Sequence, residues 1–280
     1  MSRKPRRKAL LVGINKYAEG PLNGCVNDVI RMNQIISRHY GFTKAKNKRM
    51  LVDESATTQN IINRLNWLVK DAIAGDVLFF HFSGHGSQMI DTDYDLEDEP
   101  DGMDEIICPI DLDWRRKVIK DDDFADIFSK VPEGVNLTVI LDCCHSGQGL
   151  RNFEGGPNRV RVLPTPVDIL NRGFDIALQP KDRGIYVNRD VHTIEDQKGA
   201  LLSGCRSDQT SADAWIQTAR KYMGAFTNYL TDTLEKNNFD MTYEDLQAET
   251  SKALEFFGYE QRPELNCPTG FKIHKFLQPF

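Results

Sequence analysis

The sequence predicts an α/β fold with a doubly wound, mostly parallel central sheet that is flanked by helices. Short apolar runs alternate with longer amphipathic runs along the chain, and this alternation is typical of such sheets. The apolar runs are continuous, as expected of strands that are buried on both faces. The strand candidates are residues 9–14, 77–82, 137–141 and 200–204, with a weaker one at 106–110.

Each predicted helix follows from the spacing of its apolar residues. In residues 27–40, apolar side chains such as Val29 and Met32 recur at helical spacing. Residues 57–74 repeat this pattern and stop at Gly75, a residue that suits the end of a helix. Further helices are predicted at residues 121–130, 225–236 and 243–257.

The composition excludes several classes of protein. The chain has 280 residues, of which 40% are hydrophobic and 27% are charged, as is ordinary for a globular protein. Its formal net charge of -6 offers no general attraction to nucleic acid or to an anionic membrane. The sequence has no apolar run of membrane-spanning length and no signal-peptide core at its N-terminus. We therefore expect a cytoplasmic protein that binds neither nucleic acid nor membrane and keeps its cysteines reduced.

Residues 149–198 interrupt the alternation of strands and helices. They mix glycine and proline with many arginines and lysines, and they are too long for an ordinary connection in a compact domain. We interpret them as a functional loop or a processing linker. The expected organisation is a basic tail at residues 1–7 and one domain at 8–280, with a larger part at 8–148 and a smaller part at 199–280.

Reactive side chains follow two of the predicted strands. Residues 77–82 run into the sequence S-G-H-G-S-Q, which contains His85, and residues 137–141 run into D-C-C-H-S-G, which contains Cys144. Ligands of an open α/β sheet bind at the carboxyl ends of its strands. If these two strands are neighbours, a thiol and an imidazole lie on one rim, where the imidazole helps to form the thiolate nucleophile.

Other kinds of site fit these stretches less well. A hydrolase elbow around Ser146 needs glycine at the positions where Cys144 and Gln148 stand. Cys143, Cys144 and His145 could bind zinc chemically, but three consecutive ligands match none of the spacings usual in zinc sites. No phosphate-binding glycine loop follows a strand in the sequence. A buried thiol beside a turn histidine, without catalysis, is the structural alternative.

Seven short motifs occur along the chain in a fixed order. They are A-L-L-V-G-I-N from Ala9, G-C-V-N-D from Gly24, F-S-G-H-G-S-Q from Phe82, D-G-M-D-E-I-I-C-P-I-D from Asp101, D-D-D from Asp121, L-D-C-C-H-S-G from Leu141 and S-G-C-R-S-D-Q-T-S-A-D-A from Ser203. In this order they resemble the metacaspases, which are caspase-like cysteine peptidases of clan CD and peptidase family C14. The resemblance covers residues 8–280 and implies a caspase-like fold in its minimal, single-domain form, without a prodomain.

The resemblance implies a cysteine endopeptidase with a catalytic dyad. His85 would act as general base and general acid, and Cys144 would be the nucleophile. Aligning D-C-C with the related caspase pattern selects Cys144 rather than Cys143. The backbone N–H groups of Gly86 and Cys144 would stabilise the oxyanion that forms during the reaction.

The resemblance also implies an acidic primary pocket. In metacaspases the aspartates that correspond to Asp28 and Asp142 line this pocket, with the counterparts of Cys25 and Ser83 beside them. Two carboxylates favour a cation, and arginine can be bound through two hydrogen bonds at once. The expected substrates are therefore proteins or peptides with Arg or Lys before the cleaved bond.

The resemblance to metacaspases also implies that calcium activates the protein. Metacaspases that need calcium bind it through residues that correspond to Asp104, Asp121 and Asp122. The chain departs from the family after its H-S-G motif, where Arg151 and Asn152 stand in place of a further aspartate.

The basic segment 149–198 would suit self-processing by such an enzyme, although the sequence does not choose among its arginines and lysines. Relatives generally stay monomeric, so a monomer is expected. Two other functions remain open at this point. One is a catalytically silent caspase-like module that binds partners, and the other is a clan CD peptidase of other specificity, which cleavage after Asn or Asp would reveal.

Overall fold

A six-stranded sheet forms the centre of the protein, with strand order β12-β9-β7-β3-β1-β2. The computed structural model describes residues 3–90, 103–144, 158–171 and 198–280. Neighbouring strands of the sheet are parallel except for β12, which runs antiparallel to β9. The strands are β1 (Arg7–Gly13), β2 (Lys48–Val52), β3 (Val77–Ser83), β7 (Asn136–Asp142), β9 (Ala200–Ser203) and β12 (Glu264–Asn266).

Helices cover both faces of this sheet. One apolar core contains residues of α2 (Thr58–Val69) and α3 (Asp121–Phe128). The other core contains residues of α1 (Cys25–His39), α4 (Ala225–Lys236) and α5 (Tyr243–Phe256), and a short helix α6 (Thr269–Lys272) packs there too. The threonines that precede α2 and α5 cap them by accepting a backbone N–H, as the polar residue before a helix commonly does.

Two smaller antiparallel sheets lie beside the main one. The first has the order β4-β5-β6, with β4 (Gly86–Ile90), β5 (Met103–Ile107) and β6 (Ile119–Lys120). The second has the order β11-β10-β8, with β8 (Arg159–Val160), β10 (Ala212–Ile216) and β11 (Lys221–Gly224). Because β8 belongs to the segment 149–198, part of that segment is an ordered strand at the edge of the second sheet.

The expected fold class is confirmed, and the differences from the sequence prediction are local. The helix predicted at 57–74 ends at Val69, and Asp71 has a φ of 56°, a left-handed conformation that a helix cannot contain. The weak strand candidate at 106–110 is β5, which lies outside the central sheet. The strands β2, β4, β6, β8, β10, β11 and β12 were not predicted.

The basic tail contacts the body of the protein. Arg3 forms an ion pair with the buried carboxylate of Asp76, and the backbone N–H of Arg6 donates to the same carboxylate at 2.6 Å. Arg7 already belongs to β1. Within the part of the chain that the structure describes, no helix is long and apolar enough to cross a membrane.

Candidate active site

The two strands that precede the reactive motifs are direct neighbours in the sheet. Strands β3 and β7 pair in parallel register, with Ser83 opposite Asp142 at their carboxyl ends. The chain leaves β3 toward His85 and leaves β7 toward Cys144, so both residues reach the same rim of the sheet. Both are buried, with 2% and 0% of their surface exposed.

The contacts of His85 define the protonation state of its ring. Its Nε2 atom lies 2.6 Å from the carbonyl oxygen of Gly20. A carbonyl can only accept, so Nε2 carries the proton and Nδ1 is the basic nitrogen of the neutral ring. Burial lowers the pKa of His85 to about 4, although the Gly20 contact opposes that shift. Tyr17 fixes the backbone here, because its hydroxyl accepts from the His85 N–H at 3.0 Å and donates to the Cys108 carbonyl at 2.9 Å.

Two backbone donors converge on one carbonyl oxygen beside the cysteine. The N–H groups of Gly86 and Cys144 each lie 3.1 Å from the carbonyl oxygen of Arg161. This is the arrangement that stabilises negative charge on a substrate oxygen. The thiol of Cys144 points toward Ser211, whose backbone N–H donates to Sγ and whose carbonyl oxygen lies 3.5 Å away.

The side chain of Arg161 fills an acidic pocket below these donors. Its Nη2 atom lies 2.7 Å from Oδ2 of Asp28, and its Nη1 atom lies 3.2 Å from Oδ2 of Asp142. Nη1 also donates to the Ser83 hydroxyl at 2.7 Å, and that hydroxyl in turn donates to Asp28 at 2.8 Å. All four side chains are buried. The pocket therefore binds a guanidinium completely out of solvent.

The carboxylates of the pocket are themselves held in place. Asp142 accepts from the hydroxyls of Ser211 at 2.7 Å and Thr227 at 2.6 Å. Asp28 accepts from the backbone N–H of Gly224. Burial raises the pKa of Asp28 to about 6, although Arg161 opposes that shift, and this strain on the charged form is relieved by a bound cation.

The structure adds one further acid to this pocket, from a region that the family resemblance connects only with the substrate groove. Asp213 lies on β10, is fully buried, and contacts Nη2 of Arg161 at 3.0 Å. The motif S-G-C-R-S-D-Q-T-S-A-D-A contains it, but a one-dimensional pattern does not place it beside Asp28 and Asp142. Cys25 is buried at the start of α1, and the charges of Arg161, Asp213 and Asp28 all act on its thiol, so it lies beside the pocket.

The three acids expected to bind calcium lie on β5 and α3, whereas the acids of the pocket lie on α1, β7 and β10. Asp104 is on β5, where it forms an ion pair with Lys120, and Asp121 and Asp122 begin α3 immediately after Lys120. Within residues 3–90, 103–144, 158–171 and 198–280, no group of three or more His, Cys, Asp or Glu side chains is arranged to hold a metal ion. Arg151 and Asn152 lie outside these ranges.

Comparison with solved structures gives the class of protein. A protein from Geobacter sulfurreducens superposes with a TM-score of 0.71 at 25% identity, over 99% of this chain and 100% of its own. Caspase-1 from Spodoptera frugiperda superposes with a TM-score of 0.55 at 13% identity, over 94% of this chain and 89% of its own. The fold is therefore caspase-like.

Comparison of sequences gives the family. The model of the metacaspase peptidase C14 domain matches residues 7–152. Metacaspase-1 of Kluyveromyces lactis is 43% identical over 94% of this chain, and Metacaspase-1B of Neurospora crassa is 33% identical over 94% of it. This chain belongs to the metacaspase family of C14 cysteine peptidases. It spans 66% of the length of each of these two relatives.

Proposed function

We propose that this protein is a cysteine endopeptidase that cuts peptide chains after arginine or lysine. The observation that supports this most strongly is the binding of Arg161. Its guanidinium is paired with Asp28, Asp142 and Asp213, while its carbonyl oxygen accepts from two backbone N–H groups. The pocket thus holds a basic side chain at the same time as the adjacent carbonyl is polarised for attack.

In the proposed reaction the basic Nδ1 of His85 takes the thiol proton of Cys144. The thiolate then attacks the carbonyl carbon that follows the basic side chain, and the N–H groups of Gly86 and Cys144 stabilise the oxyanion. His85 gives the proton to the departing amine, and water releases the acyl group from sulfur. Burial favours the neutral ring and the Gly20 contact keeps the proton on Nε2, so Nδ1 is free to take the thiol proton.

Calcium stimulation is a further part of this proposal and rests on the family resemblance. Asp104 is buried on β5, which pairs with β6. Asp121 and Asp122 begin α3 directly after β6, so the three acids belong to neighbouring elements. Calcium prefers six to eight oxygen ligands, so these three carboxylates would need further oxygen atoms beside them. A cytoplasmic location and a monomeric state belong to the same proposal.

The test is hydrolysis of fluorogenic peptides that end in Arg, Lys, Asp or Asn, with calcium or with a chelator. The matched control is Cys144→Ala, in which the fold and pocket are retained and the nucleophile is lost. We expect hydrolysis of the Arg and Lys peptides by the parent protein and none by the variant. A rate that requires calcium would support the activator role.

Two outcomes would contradict the proposal. Hydrolysis after Asn or Asp would indicate a clan CD peptidase of other specificity. Folded protein that cuts none of the peptides under either condition would favour a silent module that binds partners.

A further inference from the structure

We propose that the Arg161–Val162 peptide bond is the bond at which this protein cuts its own chain, and that the uncut Arg161 segment excludes other substrates. The inference rests on the proposed function, because it treats the Arg161 pocket as the pocket for substrate arginine. It adds the particular bond and the consequence that the intact chain is latent.

The carbonyl group of Arg161 occupies the position of a reacting carbonyl. Its oxygen accepts from the N–H groups of Gly86 and Cys144, each at 3.1 Å. One of these donors is the N–H of Cys144, so the residue that supplies the nucleophile is itself in contact with the Arg161 carbonyl. A basic side chain that merely filled the pocket would not need its own carbonyl at these two donors.

The main chain is held on both sides of the same bond. Before it, β8 pairs antiparallel with β10, and the Arg161 N–H donates to the Ser211 carbonyl at 3.1 Å. After it, the Leu163 N–H donates to the Gly86 carbonyl at 3.0 Å, and the Ser87 hydroxyl donates to the Leu163 carbonyl at 2.6 Å. Extended peptides bind sheet edges through such main-chain hydrogen bonds. The bond between Arg161 and Val162 therefore lies in the middle of a bound, extended segment.

The other described basic residues of the segment do not share this placement. Arg159 is exposed, and its guanidinium contacts the Pro21 carbonyl instead of the acidic pocket. Lys198 is exposed as well and contacts the Ser129 carbonyl. Among the residues that the structure describes, Arg161 is the one basic side chain of this segment bound by the three buried acids.

The reaction needs water as its only co-reactant. The Cys144 thiolate forms a bond to the Arg161 carbonyl carbon, the bond to the Val162 nitrogen breaks, and that nitrogen takes the proton held by His85. Water then adds to the thioester, which restores the thiol and leaves a carboxylate on Arg161.

Latency follows from occupancy of the pocket. Arg161 is fully buried, so another arginine can enter only after this one leaves. A tethered segment competes at the high effective concentration of an intramolecular ligand. Cleavage removes the tether on one side of Arg161, and the new carboxyl end can then dissociate.

The experiment follows the intact protein over time by N-terminal sequencing and by hydrolysis of an Arg peptide in the same tube. We expect a new terminus that reads V-L-P-T, and a peptide rate that rises at least about tenfold as this terminus appears. Arg161→Gln should reduce its appearance at least about a hundredfold, whereas Arg161→Lys should still be cut. Arg159→Gln is the matched control and should be cut like the parent, and Cys144→Ala should stay intact.

A synthetic peptide of residues 158–165 provides a readout that does not depend on the folding of any variant, and it should be cut between Arg161 and Val162. Hydrolysis of Arg peptides by a chain that is cut elsewhere, or not at all, would overturn this inference and leave the proposed function standing. A peptide rate that is already maximal before the V-L-P-T terminus appears would overturn the latency. Absence of both reactions would overturn the proposed function as well.

Discussion

The carboxylate of Asp213 lies 3.0 Å from the Nη2 atom of Arg161, and both side chains are completely buried. The same nitrogen donates to Asp28 at 2.7 Å, so it bridges two acids that are far apart in the sequence. Asp213 is fixed by the backbone N–H groups of Asn23 and Gly24, at 2.8 Å and 2.9 Å. The other nitrogen of the fork, Nη1, lies 3.2 Å from the Asp142 carboxylate, so the pocket is shaped for a planar guanidinium rather than for a single point charge.

Asp213→Asn should therefore weaken the preference for arginine over lysine. The lysine side chain is one atom shorter than that of arginine, so its ammonium does not reach the Nη2 position that Asp213 contacts, and loss of this carboxylate removes a contact that favours arginine. We expect kcat/KM to fall about tenfold to a hundredfold for Arg peptides and less for Lys peptides. The control is Asp232→Asn, which alters a partly exposed surface ion pair with Arg31. An unchanged ratio of the two kcat/KM values would contradict this role of Asp213.

Gly224 leaves space that the pocket needs. A Cβ atom at this position would overlap the Asp142 carboxylate and would lie 2.5 Å from Nη1 of Arg161. Gly224→Ala should destabilise the intact chain by about 1–3 kcal/mol through overpacking and should raise KM for Arg peptides. Gly270→Ala is the matched control, because a Cβ there meets no atom within 4 Å. Thermal unfolding and steady-state kinetics measure the two effects. Equal stability and equal KM for the two variants would show that the pocket accommodates a Cβ atom at residue 224.

The central sheet was predictable because its strands are continuous apolar runs. β3 and β7 are buried along their whole length, and this burial is visible as V-L-F-F-H-F and L-T-V-I-L in the sequence. β2 was missed because K-R-M-L-V is mostly polar or half-buried, as is possible at a sheet edge. The hairpin of β10 and β11 was missed for a similar reason. Its strands contain no continuous apolar run, and the exposed Trp215 pairs with Tyr222.

The pocket was predictable in part. The family motifs contain Asp28, Ser83 and Asp142, so the resemblance identified these residues without knowledge of their contacts. Asp213 and Arg161 come together through strand pairing between β8 and β10, which no local pattern encodes. The segment 149–198 contains many arginines and lysines, and only three-dimensional contacts distinguish Arg161 from Arg159.

Removal of the Arg161 guanidinium should destabilise the uncut protein. In a Cys144→Ala background, which prevents cleavage, Arg161→Gln leaves three buried carboxyl groups without their cation. We expect the free energy of unfolding to fall by about 3–5 kcal/mol, the usual cost of breaking a buried ion pair. Arg159→Gln in the same background should change it by less than about 0.5 kcal/mol, because Arg159 is exposed. Chemical denaturation measures both values.

The loss of unfolding free energy caused by Arg161→Gln, called the deficit below, should depend on pH. Burial already raises the pKa of Asp28 to about 6, and loss of the guanidinium raises it further. The folded variant therefore binds protons that the unfolded chain, with aspartate pKa values near 3.9, does not bind. The deficit in unfolding free energy should be largest well above pH 6 and should shrink as the pH falls toward 6, below which Asp28 is protonated in both folded proteins. A deficit that is constant across this range would rule out buried charge as its cause.

His81 should make the protein sensitive to mild acid. It lies in the middle of β3, and burial lowers its pKa to about 4. Because the unfolded histidine titrates near pH 6.5, the unfolded chain binds the extra proton first. Its contribution to stability is complete above pH 6.5 and is lost at about 1.4 kcal/mol per pH unit as the pH falls toward 4. His81→Gln should flatten the dependence of unfolding free energy on pH by that amount, and His39→Gln, at an exposed position, should not. If both variants keep the parent slope, His81 does not titrate as a buried neutral group.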